Sequence, residues 1–377
     1  MAKMKDSQMI MLEHSKAKIE LFGRYLSIYL NVISRVPFIK KIYLFDLFAG
    51  EGKYLNDEKG SPVVAMECIK NHFFSNGETC PNIDIWFNDS EKSEIEPGVY
   101  KIERVRRFIS EIFKPSNVNF EYTQNEYTGV IKIVIDRLLK TKDSERALLF
   151  IDPWGYKEID PKDLKEVVKN GKTEVILFLP ISFMYRFADK ALVDDSFAGG
   201  RPLEKFLSEL FRGKLPDTDN QLKFINEVKN QFKKYLDINY VDTFTIERGN
   251  RNFFCLFFFT SNKTGYYKML DAKWDLDEES GRGFRLGNSS QGSFFDEITA
   301  IDYTSMVKDL LKDKSGATNQ NLFDFGLDNG FLPKHTKKVL DELKAMDQIE
   351  LISLDGQEAR SYYIDDNHKR QVQVKLK

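Results

Sequence analysis

The sequence feature that most constrains the fold is a short apolar run that ends in an acid and a glycine turn. Ile42-Tyr43-Leu44 leads directly into Phe45-Asp46-Leu47-Phe48-Ala49-Gly50-Glu51-Gly52. The run predicts a buried β-strand with Asp46 at its carboxyl end. Gly50 and Gly52 lack a Cβ, so the backbone can turn sharply and a ligand can lie against it. This pattern is typical of the first strand of a doubly wound α/β fold that binds a nucleoside cofactor.

Two familiar phosphate-binding patterns fit this turn poorly. The dinucleotide fingerprint has three glycines, and the P-loop ends in Gly-Lys-Ser/Thr, whereas here Lys53 is followed by Tyr54. An ordinary strand-to-helix turn is an alternative for the motif taken alone.

Length and composition set the frame for this motif. A chain of 377 residues exceeds the usual size of one domain, which predicts two folded units. The sequence has no apolar run of about 18 residues, as a membrane span requires, and no signal peptide at its start, so we expect a cytoplasmic protein. The three cysteines are scattered and have no metal-ligand spacing. The net charge of −2 gives no global attraction for nucleic acid.

Strands and helices alternate along most of the chain. Further strands are predicted at 83–89, 118–122, 147–152 and 175–179, and a final hairpin at 242–247 and 253–260. Alternation of this kind predicts an α/β fold, a Rossmann-like doubly wound sheet with helices on both faces. Ligands bind at the carboxyl ends of such strands, where Asp46, Asp89 and Asp152 fall.

A second motif ends the fourth predicted strand, in Leu148-Leu149-Phe150-Ile151-Asp152-Pro153-Trp154-Gly155-Tyr156. The Asp152 carboxylate and the Pro153 carbonyl can accept hydrogen bonds from an amino group that is to be modified. Trp154 or Tyr156 can stack on the plane of a base. Alone, Asp-Pro can simply end a strand while Trp154 fills the core. Its pairing with the Asp46 turn at the same sheet edge favours a catalytic interpretation.

The end of the chain predicts a separate small domain. Residues 322–329 and 334–346 form two predicted helices, and residues 349–364 a hairpin around Leu354-Asp355-Gly356, which is the order of a winged helix. We therefore expect a Rossmann-like domain with an N-terminal helix over residues 1–300 and a winged-helix domain over 301–377. Residues 318–377 hold nine basic and ten acidic side chains, so contact with protein is as well supported as contact with DNA.

These motifs resemble those of known families. Residues 46–52 resemble the first motif of class I S-adenosylmethionine-dependent methyltransferases, and residues 152–156 resemble the D-P-P-Y/F motif of the amino-methylating members. Trp154 departs from that pattern because it replaces the second proline, which leaves the substrate open. Nearly the whole chain resembles the three-Cys-motif partner (TcmP) family. The residues that carry this resemblance are Lys18, Tyr25-Leu26, residues 45–52, Gly60-Ser61-Pro62, Asn88-Asp89, residues 152–156, Lys268-Met269, Trp274 and the terminal winged helix.

The resemblance implies a methyltransferase-like Rossmann domain that binds S-adenosylmethionine, in a bacterial or phage setting, beside a partner with a three-cysteine motif. The predicted cofactor residues are Asp46, Phe48, Gly50, Gly52, Asp89 and Asn125, and the predicted catalytic residues are Asp152, Pro153, Trp154 and Tyr156; no metal is predicted. Asp46 and the glycines would cradle the methionine half, Asp89 would bind the ribose hydroxyls, and Asn125 the adenine edge. As alternatives, Asp89 is a surface cap of a helix after Ser90, and Asn125 is a helix cap.

Two hypotheses of function follow. The first is an S-adenosylmethionine-dependent methyltransferase that acts on an exocyclic amino group of a base in DNA or RNA, together with a three-Cys-motif protein. The second is an adaptor that binds the cofactor without catalysis and recruits protein or DNA through its winged helix. The near-neutral charge favours the adaptor, and the intact Asp-Pro with two aromatic residues favours the enzyme.

Overall fold

The structure, a computed structural model, divides the chain into two compact units, Met1–Leu286 and Gly287–Lys377. It describes residues 9–77, 80–193, 200–212, 221–247, 253–277, 283–284, 302–312, 316–353, 359 and 361–377. The predicted domain boundary at residues 300 and 301 and the predicted turn at Leu354-Asp355-Gly356 lie outside these residues. None of the helices in the described ranges combines the length and the apolar character that a membrane crossing requires.

The first unit is built on one sheet in the order β3-β2-β1-β4-β5-β7-β6-β8. Its strands are β1 (Lys41–Asp46), β2 (Asn82–Asn88), β3 (Val118–Thr123), β4 (Glu145–Ile151), β5 (Thr173–Leu179), β6 (Tyr240–Glu247), β7 (Phe253–Thr260) and β8 (Gly283–Phe284). The pairs from β3 to β5 are parallel, whereas β7 runs antiparallel to both β5 and β6. The predicted Rossmann-like doubly wound sheet with a terminal hairpin is therefore confirmed.

Helices cover this sheet in two groups. They are α1 (Glu13–Ser34), α2 (Ser61–Asn76), α3 (Lys101–Glu111), α4 (Tyr127–Leu138), α5 (Pro161–Val168), α6 (Ile181–Val193), α7 (Gly200–Phe211), α8 (Gln221–Leu236) and α9 (Lys263–Leu276). Helices α1, α2, α3 and α9 contact one another over Ile42 and Leu44 of β1. Helices α4 to α8 form the second group, in which Phe232 packs on Phe257 and Phe259 of β7 at ring distances of 5.2 and 5.0 Å. Since alternate residues of a strand face opposite sides, both faces of the sheet are buried.

In the part of the second unit that the structure describes, three helices accompany a small antiparallel sheet in the order β10-β11-β9. Its elements are α10 (Tyr303–Leu311), β9 (Ala317–Thr318), α11 (Asn319–Asp328), α12 (Pro333–Ala345), β10 (Ile349–Ser353) and β11 (Val372–Leu376). The predicted position of the second hairpin strand, before residue 364, is wrong, because β10 pairs with Val372–Leu376 instead. Tyr362 and Ile364 are buried, as alternate residues of a strand would be, but neither belongs to a strand of the sheet. Asn319 holds this segment through hydrogen bonds to the carbonyls of Tyr363 and Arg370.

Candidate functional site

A cavity of about 920 Å³ lies in the first unit, at the carboxyl edge of the sheet. There β1 has β2 on one side and β4 on the other, so the strand order reverses and the flanking loops leave a crevice. The loops after β1 to β4 form its walls together with α1 and the start of α6. Eight of the ten predicted site residues line it: Phe48, Gly50, Asp89, Asn125, Asp152, Pro153, Trp154 and Tyr156. Asp46 and Gly52 do not.

The two glycines of the turn after β1 have different roles. Gly50 has a φ of 64°, and its N–H donates to Asp89 Oδ2 at 2.8 Å, which fixes the turn to the end of β2. Gly52 has a φ of 73° and lies away from the cavity. A Cβ there would lie 3.2 Å from the side chains of Phe108 and Val105. Gly52 is thus needed for the close approach of the turn to α3, and the structure gives it no place in the cavity wall.

Asp46 is buried below the cavity wall at the end of β1. Neither of its carboxylate oxygens accepts a hydrogen bond of ordinary geometry from the described residues. The pKa of Asp46 is raised to about 7, mainly by burial; the proximity of Ser61 and the Phe48 amide opposes this shift, and the nearby Asp152 and Asp89 add to it. A buried carboxylate without an adequate hydrogen-bond donor is unfavourable, and a cationic group bound nearby would stabilise it.

Asp89 is buried, with both of its carboxylate oxygens held by the backbone. The N–H of Gly50 donates to Oδ2 and the N–H of Glu91 donates to Oδ1, at 2.8 and 2.9 Å. Burial raises the pKa of Asp89, and the ammonium of Lys101 opposes that shift. The alternative of a surface helix cap does not fit, because Asp89 is 7% exposed and the next helix begins at Lys101. Each oxygen keeps a further lone pair for a hydroxyl donor.

Asn125 is exposed and follows β3 in the cavity wall. It is not a helix cap, since the N-cap of α4 is Glu126. The buried amide of Asn88 holds its backbone, because Nδ2 donates to the Asn125 carbonyl at 2.9 Å and Oδ1 accepts from the Asn125 N–H at 3.1 Å. Asn88 therefore ties the end of β2 to the loop after β3.

The loop after β4 presents one exposed and one buried aromatic ring. Trp154 is 57% exposed, so it does not fill the core, and one face of its ring can meet a ligand. Tyr156 is buried, its hydroxyl donates to the Pro180 carbonyl at 3.0 Å, and its ring packs on Phe206. Tyr156 thus supports the loop from below and offers little surface for stacking.

Several residues of the cavity were not predicted from the sequence. Lys18 of α1 forms an ion pair with Asp152, 134 residues away. Glu51 of the glycine turn forms a buried ion pair with Arg104 of α3. Burial raises the pKa of Tyr54, and the carboxylates around it, Asp152 first, add to that shift. The available signals were the motif position of Glu51 and the place of Lys18 in the family resemblance.

Acidic side chains outnumber basic ones in the cavity wall. Six carboxylates and three lysines line it: Glu51, Asp89, Glu91, Glu126, Asp152 and Glu158, with Lys18, Lys101 and Lys157. Such a wall gives no focused attraction for a phosphate backbone. Among the residues that the structure describes, no cluster of His, Cys, Asp and Glu is arranged to hold a metal ion.

Comparison with known proteins adds little to this geometry. No protein-family model matches the sequence, and no curated protein is similar to it. Among solved structures, human methyltransferase-like protein 13 in complex with SAH is 12% identical, with 74% of this chain and 96% of that chain covered and a TM-score of 0.31. A candidate methyltransferase from Thermobifida fusca is 12% identical, with 69% and 87% covered and a TM-score of 0.29. At these TM-scores neither likeness identifies the activity of this chain.

Proposed function

We propose that this protein is an S-adenosylmethionine-dependent methyltransferase that acts on an exocyclic amino group. The observation that carries the proposal is the meeting of two motifs in one cavity, the glycine turn after β1 and the Asp-Pro-Trp loop after β4. They flank the switch point of a doubly wound sheet, where ligands of this fold bind. The cavity volume of about 920 Å³ lies at the upper end of the usual range for ligand pockets, which leaves space for an acceptor beside a cofactor.

The residues of the β1 and β2 edges fit the proposed cofactor. S-adenosylmethionine would supply a methyl group on a positively charged sulfur and also carries an ammonium group. The unsatisfied carboxylate of Asp46 below the turn favours such positive charge nearby. Asp89 would accept from the ribose hydroxyls, with Gly50 keeping its carboxylate in place, and Asn125 would face the adenine edge.

The loop after β4 would hold the acceptor. Asp152 and the Pro153 carbonyl would accept the N–H hydrogens of an amino group, and the exposed Trp154 would stack on the attached ring; all three residues line the cavity. In such a transfer the charge on sulfur disperses as the new C–N bond forms. Alignment of the two reactants therefore supplies most of the catalysis, and these residues act by positioning.

We further propose that the amino group belongs to a nucleic-acid base and that a three-Cys-motif protein acts with this chain. The acid-rich wall is a poor channel for a phosphate backbone, so the base would enter alone, flipped out of its strand. The order of helices and strands in the second unit supports a winged helix, which would then select the substrate or the partner.

A second candidate is a cofactor-binding adaptor without catalysis. The ion pair between Lys18 and Asp152 favours it, because that pair occupies one oxygen of the expected acceptor. In this case the cofactor would stabilise the first unit and the second unit would recruit a partner.

Two measurements test these proposals. Isothermal titration of cofactor-free protein with S-adenosylmethionine should show one site, and an absence of binding would refute both candidates. A screen for transfer of a tritiated methyl group to DNA, RNA and partner protein then separates enzyme from adaptor. We expect Asp152→Ala to lose transfer and keep cofactor binding. Transfer at the wild-type rate by this variant would rule out the assigned acceptor site.

A further inference from the structure

The ion pair between Lys18 and Asp152 lies inside the cavity. Lys18 comes from α1 and Asp152 from the loop after β4, and both line the wall. Their side chains are only 11% and 20% exposed, so the charges are poorly screened by water. The Lys18 ammonium also lies 4.5 Å from the centre of the Phe178 ring, a contact that restricts its position further.

The ion pair makes the two oxygens of the Asp152 carboxylate inequivalent. Oδ2 accepts from Lys18 Nζ. Among the described residues, no donor is bonded to Oδ1, which leaves it available to a ligand in the cavity. A ligand at Oδ1 therefore meets a hydrogen-bond acceptor whose negative charge is already balanced by a neighbouring cation.

This balance has a chemical consequence for the methyl acceptor. An aliphatic amine is a cation at neutral pH, and at Oδ1 it would have to shed its hydration for a carboxylate whose charge Lys18 already balances. An amino group on a heteroaromatic ring is uncharged, and its N–H can donate to Oδ1 without that loss. Without Lys18, the same carboxylate would attract ammonium ions.

On the basis of the proposed function, we infer that Lys18 is a specificity-determining residue: it makes the acceptor subsite select an uncharged amino group of a planar heteroaromatic ring over an aliphatic ammonium. Trp154 in the same wall supplies the surface on which such a ring stacks. Lys18 acts through Asp152 and need not touch the substrate.

Two cofactor analogues test this inference without knowledge of the substrate. S-adenosylhomocysteine lacks the methyl group, and sinefungin carries a protonated amine in its place, so this amine would point at the acceptor subsite. The ratio of the two dissociation constants, measured by titration calorimetry, shows how much the subsite favours or disfavours a cation. We expect Lys18→Met to shift that ratio towards sinefungin by at least about tenfold, because a partly buried carboxylate loses its counter-ion.

Three further variants complete the experiment. Asp152→Asn should shift the ratio in the opposite direction, since an unpaired Lys18 repels the amine. Lys18→Arg should stay within about twofold of the wild type because it keeps the charge. Lys16→Met is the matched control: Lys16 lies on the same helix, outside the cavity wall, and is paired with Glu13 and Glu58. It should leave the ratio unchanged.

Each outcome separates the inference from the function on which it rests. If the wild type binds neither analogue, the proposed function fails and the inference fails with it. If S-adenosylhomocysteine binds and Lys18→Met leaves the ratio unchanged, the inference alone is overturned. Should Lys18→Met fail to fold, Asp152→Asn decides, and a wild-type ratio in that variant also overturns it.

Discussion

Replacement of Asp46 by Asn should change the free energy of unfolding, relative to the wild type, more favourably at high pH than in acid. Asp46 is 1% exposed, and its carboxylate lacks a hydrogen bond of good geometry from the described residues. Burial is the main reason that its pKa rises from 3.8 to about 7. Asn keeps the shape of the side chain and removes the charge, so the variant isolates the free energy of ionising a buried carboxyl group.

The size and sign of the effect follow from proton linkage. Between about pH 4 and pH 7 the folded protein keeps the Asp46 proton while the unfolded chain releases it. The folded state binds more protons, so the free energy of unfolding falls as the pH rises through this window and is constant above it. At about 1.4 kcal/mol per pH unit, the wild type loses roughly 4 kcal/mol that the Asn variant retains. The Asn amide has its own burial penalty, which does not depend on pH.

Urea unfolding of both proteins at pH 4.5 and pH 8, followed by tryptophan fluorescence, measures this difference. The three tryptophans Trp86, Trp154 and Trp274 all lie in the first unit, so the signal reports the unit that contains Asp46. The control is Asp143→Asn, because Lys172 lowers the pKa of that exposed carboxyl and its effect should be smaller and opposite in sign. A stability difference between wild type and Asp46→Asn that is the same at both pH values would refute the reasoning.

Further variants test the packing and the site. Gly52→Ala should destabilise by about 2 kcal/mol or more in urea unfolding, owing to the positive φ and the contact at 3.2 Å; Gly129→Ala, with open space at its Cβ, should be neutral or stabilising. Trp154→Ala should leave Tm unchanged because the ring is exposed, and a lower Tm would contradict this. The same variant should lower kcat/KM of methyl transfer roughly 10- to 100-fold, because base stacking is worth about 1–3 kcal/mol. Tyr25→Phe removes a donor to the buried Glu174 and should lower the free energy of unfolding by about 1–3 kcal/mol. That loss should be larger at pH 8 than at pH 5, because the pKa of Glu174 is raised to about 7, and an equal loss at both would argue against an ionised acceptor.

Local sequence patterns predicted the sheet well because the central parallel strands β4 and β5 are long runs of buried residues. β1 ends at Asp46 as predicted, and β5, a run of buried residues, begins two residues before its predicted start. The carboxyl ends of parallel strands meet at one edge of a sheet, so the sequence could predict that Asp89, Asp152 and the turn at Gly50 lie together. In the structure all three line one cavity.

Contacts between distant segments account for what the sequence did not predict. A lysine such as Lys18 on an amphipathic helix normally faces water, and only the placement of α1 against the loop after β4 brings it to Asp152. The sequence predicted that Gly52 binds the cofactor because Gly52 belongs to the glycine turn after β1. The role of Gly52 depends instead on its contacts with Val105 and Phe108. Both residues lie in α3, far along the chain from the turn.

The arrangement of α1 has a consequence for how the protein forms during translation. α1 precedes every strand, yet it packs on α9, which follows β7, as well as on α2. The nascent chain can therefore pair β1 to β5 long before α9 is available to hold α1 in place. Because Lys18 belongs to α1, the part of the cavity wall that Lys18 forms has all of its supporting contacts only after α9 has been synthesised. An incomplete chain that lacks α9 would therefore hold Lys18, the counter-ion of Asp152, less firmly than the complete first unit does.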